Sequence, residues 1–389
     1  MNPNTFVLKN LLKDEEVKRI SKILLYFYFF FLIISNTFSQ GLAGLLCIIL
    51  IIRIGITGGR AYIATPFDLP FLVLIVCRFA STFFHYEPFQ AIELVAKRLP
   101  LYGIYFVITN TVELDELPDE IERYIALIIY SCILGGLHGF YEFIFLKIVR
   151  PGSFAGGYSR LSEFSSVSII LAMFLRNNKK IFPDNWFYLT SFLIILGTLL
   201  ITQSRAAWAG TGIALGILAI RGDRRYVFLF IAIFCIAVAL VPSIRERAIT
   251  IMDPIKNMSN RDVIWTDAIE KFKENPVLGY GIKSLKSIAS PEVQSYNTWH
   301  SDYLQLLLES GIVGLLAYLW LSMLLFKNCI SLIRRKSAEK NAIFWGITAS
   351  LLSMYFISFF GGHIVEPVLS LFFFSFIAVI SIFSLELRI

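Results

Sequence analysis

This sequence predicts an all-α polytopic membrane protein, with about twelve transmembrane helices and one large outer loop containing short helices. Three observations lead there. Mean hydropathy is +0.70, with 57% of residues hydrophobic and only 16% charged, far from the composition of a soluble domain. Apolar runs of roughly 20 residues, the length that crosses a hydrocarbon core, recur along the chain. Short basic clusters sit between alternate runs, as cytoplasmic loops do.

Breaking the chain at polar and Gly/Pro clusters gives spans centred near residues 29, 47, 75, 100, 132, 168, 194, 213 and 233, then a long polar segment, then spans centred near 314, 352 and 376. The organisation is therefore residues 1–242 with nine spans, a loop over 243–301, and residues 302–389 with three more. The first apolar run opens at about Ile23 after a mixed-charge stretch from Lys9 to Lys22, and it lacks an A-x-A-like exit. It reads as a retained helix, with the mature chain beginning near Met1. The fourth run carries Glu93, Lys97 and Arg98.

Charge tests the orientation. With the N-terminus in the cytoplasm, the inner turnarounds carry Arg53 and Arg60, then Arg176, Lys179 and Lys180, then Arg221, Arg224 and Arg225, then Lys327, Arg334, Arg335, Lys336 and Lys340. The outer turnarounds "SNTFSQ", "HYEP" and "GGHIVEP" hold no Lys or Arg. One inner loop, "TVELDELPDE", is acidic, and acidic residues weigh little in this rule. Both ends are expected inside. The net charge of +7 is spread over these clusters, which argues for a lipid bilayer and against a nucleic-acid partner. Cys47, Cys77, Cys132 and Cys235 lie in apolar runs and Cys329 just beyond one, with no C-x-x-C pair, so neither a disulfide framework nor a zinc site is expected.

This orientation puts Arg205, between the seventh and eighth spans, at the outer face, together with the long loop and the segment "KIVRPGSFAGGYSR". A cation bordering two spans is costly unless it meets water, a partner or a substrate; snorkelling to the interface is the simpler reading. The small residues Ser204, Ala206, Ala207, Ala209 and Gly210 would permit close approach of a helix or a lipid. In the loop, "SNRDVIWTDAIEKFKENPVLGYGI" predicts a short amphipathic helix. Ile264, Trp265, Ala268, Ile269 and Phe272 form its apolar stripe, Asn260 its N-cap, and Asn275-Pro276 with Gly279 and Gly281 its end. Arg261 in the first turn opposes the helix dipole, which suggests an anion such as phosphate sharing the site; a solvated surface Arg is the alternative.

His300 stands immediately before the tenth span. A neutral imidazole there could take a proton from a hydroxyl near pH 7, or the residue could be an interfacial His beside the aromatic anchor Trp299. Asp302 and Glu309 are possible orienting partners for the ring. Lys97, Arg98 and Arg160 add cations near membrane depth, where pairing with Glu93 or Glu163 competes with substrate contact. His363 and Glu366, in the last outer turn, read as structural. No G-x-x-x-x-G-K-[ST], D-x-D or H-E-x-x-H occurs, and outer carboxylates are few beyond Glu246, Asp253, Glu292 and Asp302. An ATP-driven pump and a metal-centred transferase are disfavoured; no cofactor and no metal are expected.

Three segments in order, "TQSRAAWAG", "NRDVIWTDAIEKFKENPVLGYGI" and "HSDYLQLLLESGIVG", separated by spans, resemble the O-antigen ligase superfamily of bacterial inner membranes. That superfamily also includes O-antigen polymerases and protein O-oligosaccharyltransferases. The resemblance covers roughly residues 145–385; the earlier helices match only in number and hydropathy. It implies a periplasmic loop over the active site and a metal-independent, inverting glycosyl transfer from an undecaprenyl-pyrophosphate-linked glycan. It also makes Arg205, Arg261 and His300 the catalytic set; Lys97, Arg98 and Arg160, by their position near membrane depth, are candidate further pyrophosphate contacts. "RPGSFAGGYSRLSEFSS" follows the family's Gly-rich stretch only loosely, which leaves Arg150 and Arg160 in doubt.

The expected protein is thus an O-antigen ligase of the inner membrane, both ends cytoplasmic, transferring O-antigen to a lipid A-core oligosaccharide. A polymerase extending the glycan on its carrier would use nearly the same residues; the single long outer loop of about 60 residues leans toward ligase. A protein-glycosylating relative usually has a longer C-terminal part. A transporter should show internal repeats and interrupted helices in two halves, and no convincing repeat is present.

Overall fold

The computed structural model describes residues 3–113, 116–220, 224–250, 259–335 and 338–385, so that Arg221, Asp253 and Lys336 of the sequence analysis lie outside the described residues. Among those described, every regular element is a helix: α1 (Pro3–Phe31), α2 (Asn36–Ile56), α3 (Asp68–His85), α4 (Pro88–Thr111), α5 (Leu117–Ile144), α6 (Tyr158–Phe174), α7 (Asn185–Ile201), α8 (Arg205–Ile220), α9 (Arg224–Leu240), α10 (Pro242–Ile249), α11 (Arg261–Glu274), α12 (Leu285–Ile288), α13 (Asp302–Arg335), α14 (Ala338–Ile357) and α15 (Pro367–Leu385). Each expected centre falls inside a helix. By length and hydropathy, five of the described helices (α2, α3, α5, α13 and α15) are able to cross a membrane, or six if α9 and α10, bent by 110°, make one span. Among the other expected spans, α6, α7 and α9 have 17 residues each and α8 has 16, at the short end of the lengths that cross a bilayer core.

α1 begins well before the apolar run at Ile23. Its charged half is held by partners beyond α4: Lys18 pairs with Glu113, Lys22 with Glu116, and the Tyr26 hydroxyl donates to Glu120 at 2.7 Å. α15 is apolar on all sides, and every residue from Val368 to Ser384 is buried, the pattern of a helix enclosed by others. It packs on α4, α13 and α2. Its serines meet Tyr28 at 3.0 Å and Tyr105 at 3.1 Å, so few polar atoms are stranded.

Two close approaches shape the rest. Gly210 lets α8 lie against α14, because a Cβ there would sit 2.7 Å from Ser353 Oγ and 3.0 Å from Ile357. Ser166 of α6 then bonds both Thr211 and Ser353, at 2.8 and 2.9 Å. In α13, Gly311 has φ +64 and breaks the helix. The chain after α11 fills that break: Ile312 N donates to Pro276 O at 2.8 Å, and Tyr280 N and Gly281 N donate to the carbonyls of Leu308 and Glu309 at 2.7 and 3.0 Å. A Cβ on Gly311 would lie 2.0 Å from Val277 O.

The loop has a core of its own, made by Ile264, Ala268, Leu285, Ala289, Val293, Trp299 and Leu308. Trp265 and Phe272 pack at its edge as expected, but Ile269 is 48% exposed. Five residues beyond Ile264 is about 140° round a helix, too far for one buried face. The expected cap also differs. Asn260 precedes α11 but is left-handed (φ +61) and makes no side-chain cap; its amide donates instead to the Tyr296 hydroxyl at 2.9 Å.

Candidate functional site

Described residues from several stretches of chain line a cavity of about 720 Å³: within 150–163, 204–209, 259–265, 298–300 and 356–369, together with Arg247. The α7–α8 turn is its hub. Gln203, left-handed at φ +53, turns its carbonyl toward two guanidiniums, accepting from Arg247 Nε at 3.3 Å and Arg150 Nη2 at 3.5 Å. Arg150 also donates to Thr202 O at 3.3 Å and lies 3.4 Å over the Tyr158 ring. Arg205, the first residue of α8, bonds Thr250 O and Oγ1 at 3.2 and 3.1 Å and Ser259 Oγ at 3.3 Å. Arg247 reaches the site because α10 turns back from α9 at Pro242, where a proline suits the first helical position.

Arg261 starts α11. Its Nη2 donates to Phe360 O at 2.8 Å, and its Nε is buried without a partner. Among the described residues, no carboxylate pairs with Arg150, Arg247 or Arg261. Burial lowers the Arg261 guanidinium from its ordinary value; the opposing pull of Tyr158 comes next, and the charges of Arg247 and Arg150 add to the lowering. An arginine does not give up its proton under such pressure. Clustered cations in a partly buried cavity, beside a helix start, are an arrangement that suits an anion.

His300 borders the same cavity. It too is left-handed, at φ +51, a conformation costing an L-residue roughly 1–2 kcal/mol. Its neighbour holds it there: Trp299 is fully buried, its N–H donates to Gln305 Oε1 at 3.1 Å, and its carbonyl accepts from Trp265 Nε1 at 3.2 Å. The imidazole lies edge-on to Tyr296, and neither ring nitrogen has a hydrogen-bond partner among the described residues. Burial and then the Arg261 charge lower it from its ordinary value, so at neutral pH it is a neutral proton acceptor.

The two carboxylates considered as orienting partners are occupied elsewhere. Glu309 pairs with Arg78 and accepts from Gln305 Nε2 and Lys283 N, at 2.7 and 2.8 Å. Asp302 accepts from the backbone of His363 and Ile364, at 2.8 and 3.0 Å. Beneath the cavity, the His363 imidazole lies between Glu163 (Nε2 to Oε2, 2.6 Å) and Asp302 (Nδ1 to Oδ2, 3.3 Å), all three being at most 2% exposed. Burial alone would lower His363, but Glu163 and Asp302 outweigh it and push it up to about 10. His363 is therefore an imidazolium.

Of the expected site residues, Arg205, Arg261, His300 and Arg160 line the cavity, whereas Lys97 and Arg98 are not among its lining residues. Lys97 is exposed and pairs with Glu93, four residues back. Arg98 is buried and donates to Val365 O. Arg160 pairs with Glu366 rather than Glu163. The sequence analysis overlooked Arg247 and Tyr158 and left Arg150 open. Only the basic run "RERA" after Pro242 hinted at the first.

Residues 190–319 match the family model described as O-antigen ligase. This segment is similar to the O-antigen ligase family. It contains Arg205, Arg247, Arg261 and His300. The chain is 31% identical over 185 residues to a protein of Rickettsia conorii provisionally named a polysaccharide ligase, covering 42% of this chain and 43% of that one. It is 30% identical over 149 residues to a protein of Pseudomonas aeruginosa named O-antigen ligase, covering 38% and 36%. The chain thus spans about two fifths of the length of these relatives. The similarity to the ligase family and the convergence of Arg205, Arg247 and Arg261 with His300 fall in one stretch of the chain.

Proposed function

We propose that this chain is an O-antigen ligase of the bacterial inner membrane, with twelve spans, both ends cytoplasmic and the cavity facing the periplasm. The donor is an O-antigen polysaccharide on undecaprenyl pyrophosphate, and the acceptor is the core oligosaccharide of lipid A. What supports this is a cationic cavity that also holds a neutral imidazole, inside a segment similar to the ligase family.

The chemistry follows from those groups. An acceptor hydroxyl attacks the anomeric carbon as the bond to the pyrophosphate oxygen breaks, and the electron pair leaves on that oxygen. Arg205 and Arg261, with Arg150 and Arg247 beside them, stabilise the charge that builds there, supplying as fixed guanidiniums what a divalent cation supplies in other transferases. His300 takes the hydroxyl proton, which leaves the anomeric centre inverted and the proton on the ring.

The test is transfer by purified protein in detergent with EDTA present, offering lipid A-core and a carrier-linked acceptor in parallel. Glycan on lipid A-core is the expected product. Growth on the carrier alone would replace the proposal with a polymerase, and no transfer to either acceptor from folded protein would favour transport instead.

A further inference from the structure

Besides its arginines, the cavity is bordered by Glu163 of α6, by the Gly361–Gly362 turn, and by Trp265 and Phe360, whose rings stack at 6.2 Å and 28° beside Arg261, its guanidinium 5.7 Å over the Phe360 ring. A carboxylate repels a pyrophosphate, so the position at Glu163 is ill suited to the leaving group. Of the two carboxylates there, Glu366 is committed to Arg160. Glu163 is held differently: its Oε2 rests on the His363 imidazolium, and its Oε1 has only one long contact, from the Ser159 hydroxyl at 3.4 Å. His363 is fixed in turn by Ser358 Oγ at 2.7 Å and by Asp302, which grips the backbone of the same turn. A buried anion so positioned has accepting capacity to spare, and an ionised carboxylate only accepts hydrogen bonds. The partner it suits is neutral and rich in hydroxyls, with C–H faces that rest on the electron-rich faces of aromatic rings.

Building on the transferase reading, we propose that Glu163 is the hydroxyl-binding residue of an acceptor-sugar subsite, formed between α6, Trp265 and the turn after α14. Donor and acceptor then lie side by side in one cavity: pyrophosphate at the arginines, and the incoming saccharide at Glu163, with Arg261 and the aromatic pair where the two meet. His363 and Asp302 are positioning residues for this carboxylate.

The experiment uses the full chain in detergent, comparing wild type with Glu163→Gln and His363→Gln. Equilibrium binding is measured for delipidated core oligosaccharide and separately for inorganic pyrophosphate, and initial rates of transfer are measured against both substrates. In Glu163→Gln, oligosaccharide affinity falls about tenfold or more, the worth of a hydrogen bond to a charged group, and the acceptor KM rises in step, while pyrophosphate affinity and the donor KM do not weaken. His363→Gln gives the same pattern, less strongly. A purely structural role gives another result: a smaller folded fraction lowers apparent kcat and leaves both KM values alone. That outcome, an equal loss for both ligands, or no oligosaccharide binding by wild type would overturn the proposal. Binding dependent on Glu163 without any transfer would sink the transferase reading and leave the saccharide site standing.

Discussion

Arg78 and Arg261 are both withdrawn from water, yet their surroundings answer them in opposite ways. Arg78, 2% exposed on α3, meets the Glu309 carboxylate of α13 and the Tyr102 hydroxyl at 2.7 Å. Arg261 meets a backbone carbonyl and the repulsion of Arg150 and Arg247. Burying an ion pair is roughly neutral for stability, but removing one partner of such a pair is expensive. Removing one member of a like-charged cluster relieves strain. A charge answered inside the protein joins helices; a charge left over is addressed to something that arrives.

The comparison breaks most visibly in activity. His300→Ala should cost about 10²–10⁴ in transfer rate, and Arg205→Ala or Arg261→Ala about 10²–10³ each, less than additively in combination. The melting temperature of Arg261→Ala should stay level or rise. If it falls as far as that of Arg78→Ala, the contrast between the two arginines is wrong. Arg78→Ala should lose about 3–5 kcal/mol of stability, most of it regained when Glu309→Leu is added to Arg78→Met, as read by thermal unfolding in detergent.

Next in size is Gly311→Ala. It needs a left-handed alanine against Val277 O and should cost about 1–3 kcal/mol, seen as new protease cutting between residues 275 and 281 with transfer reduced alongside. The finest test is pH. With His300 as the proposed base, lowered from the usual imidazole value, the acid limb of kcat/KM should lie below about pH 6.5. Arg261→Gln removes a lowering charge, so the limb of its residual activity should move to higher pH. A downward shift, or none, would detach His300 from the cationic cluster.

Much of this was legible from residues alone, and what was missed has geometric causes. Arg205, Arg261 and His300 each sit at an element boundary that hydropathy or capping rules can locate, and their meeting follows once the boundaries share a face. Arg247 is different. It enters the cavity through the 110° bend before α10, and no periodicity encodes where a bent helix points. Lys97 and Arg98 show the same limit: hydropathy gave their depth but not their rotation, and one step of about 100° separates an exposed lysine paired with Glu93 from a buried arginine bonded to Val365 O. The partners of His363, read as a structural residue, could not be named from spacing, because the carboxylates on either side of it come from α6 and α13, 200 and 61 positions away. The Asn260 cap failed through tertiary competition, since Tyr296 took its amide.

The break at Gly311 also bears on how this protein could be cut and recombined. The first turns of α13 put Leu308 into the core under the loop and Gln305 against Trp299, whereas the turns beyond the break pack among the long helices. A chimaera joined at residue 301, where the polar loop ends, would split one hydrophobic core between two parents. Joined at the glycine, the transplanted piece would bring its own core, the anchor beside His300 and the backbone that plugs the gap. The loop should therefore exchange with that of a similar protein as 261–311, with the seam inside a helix.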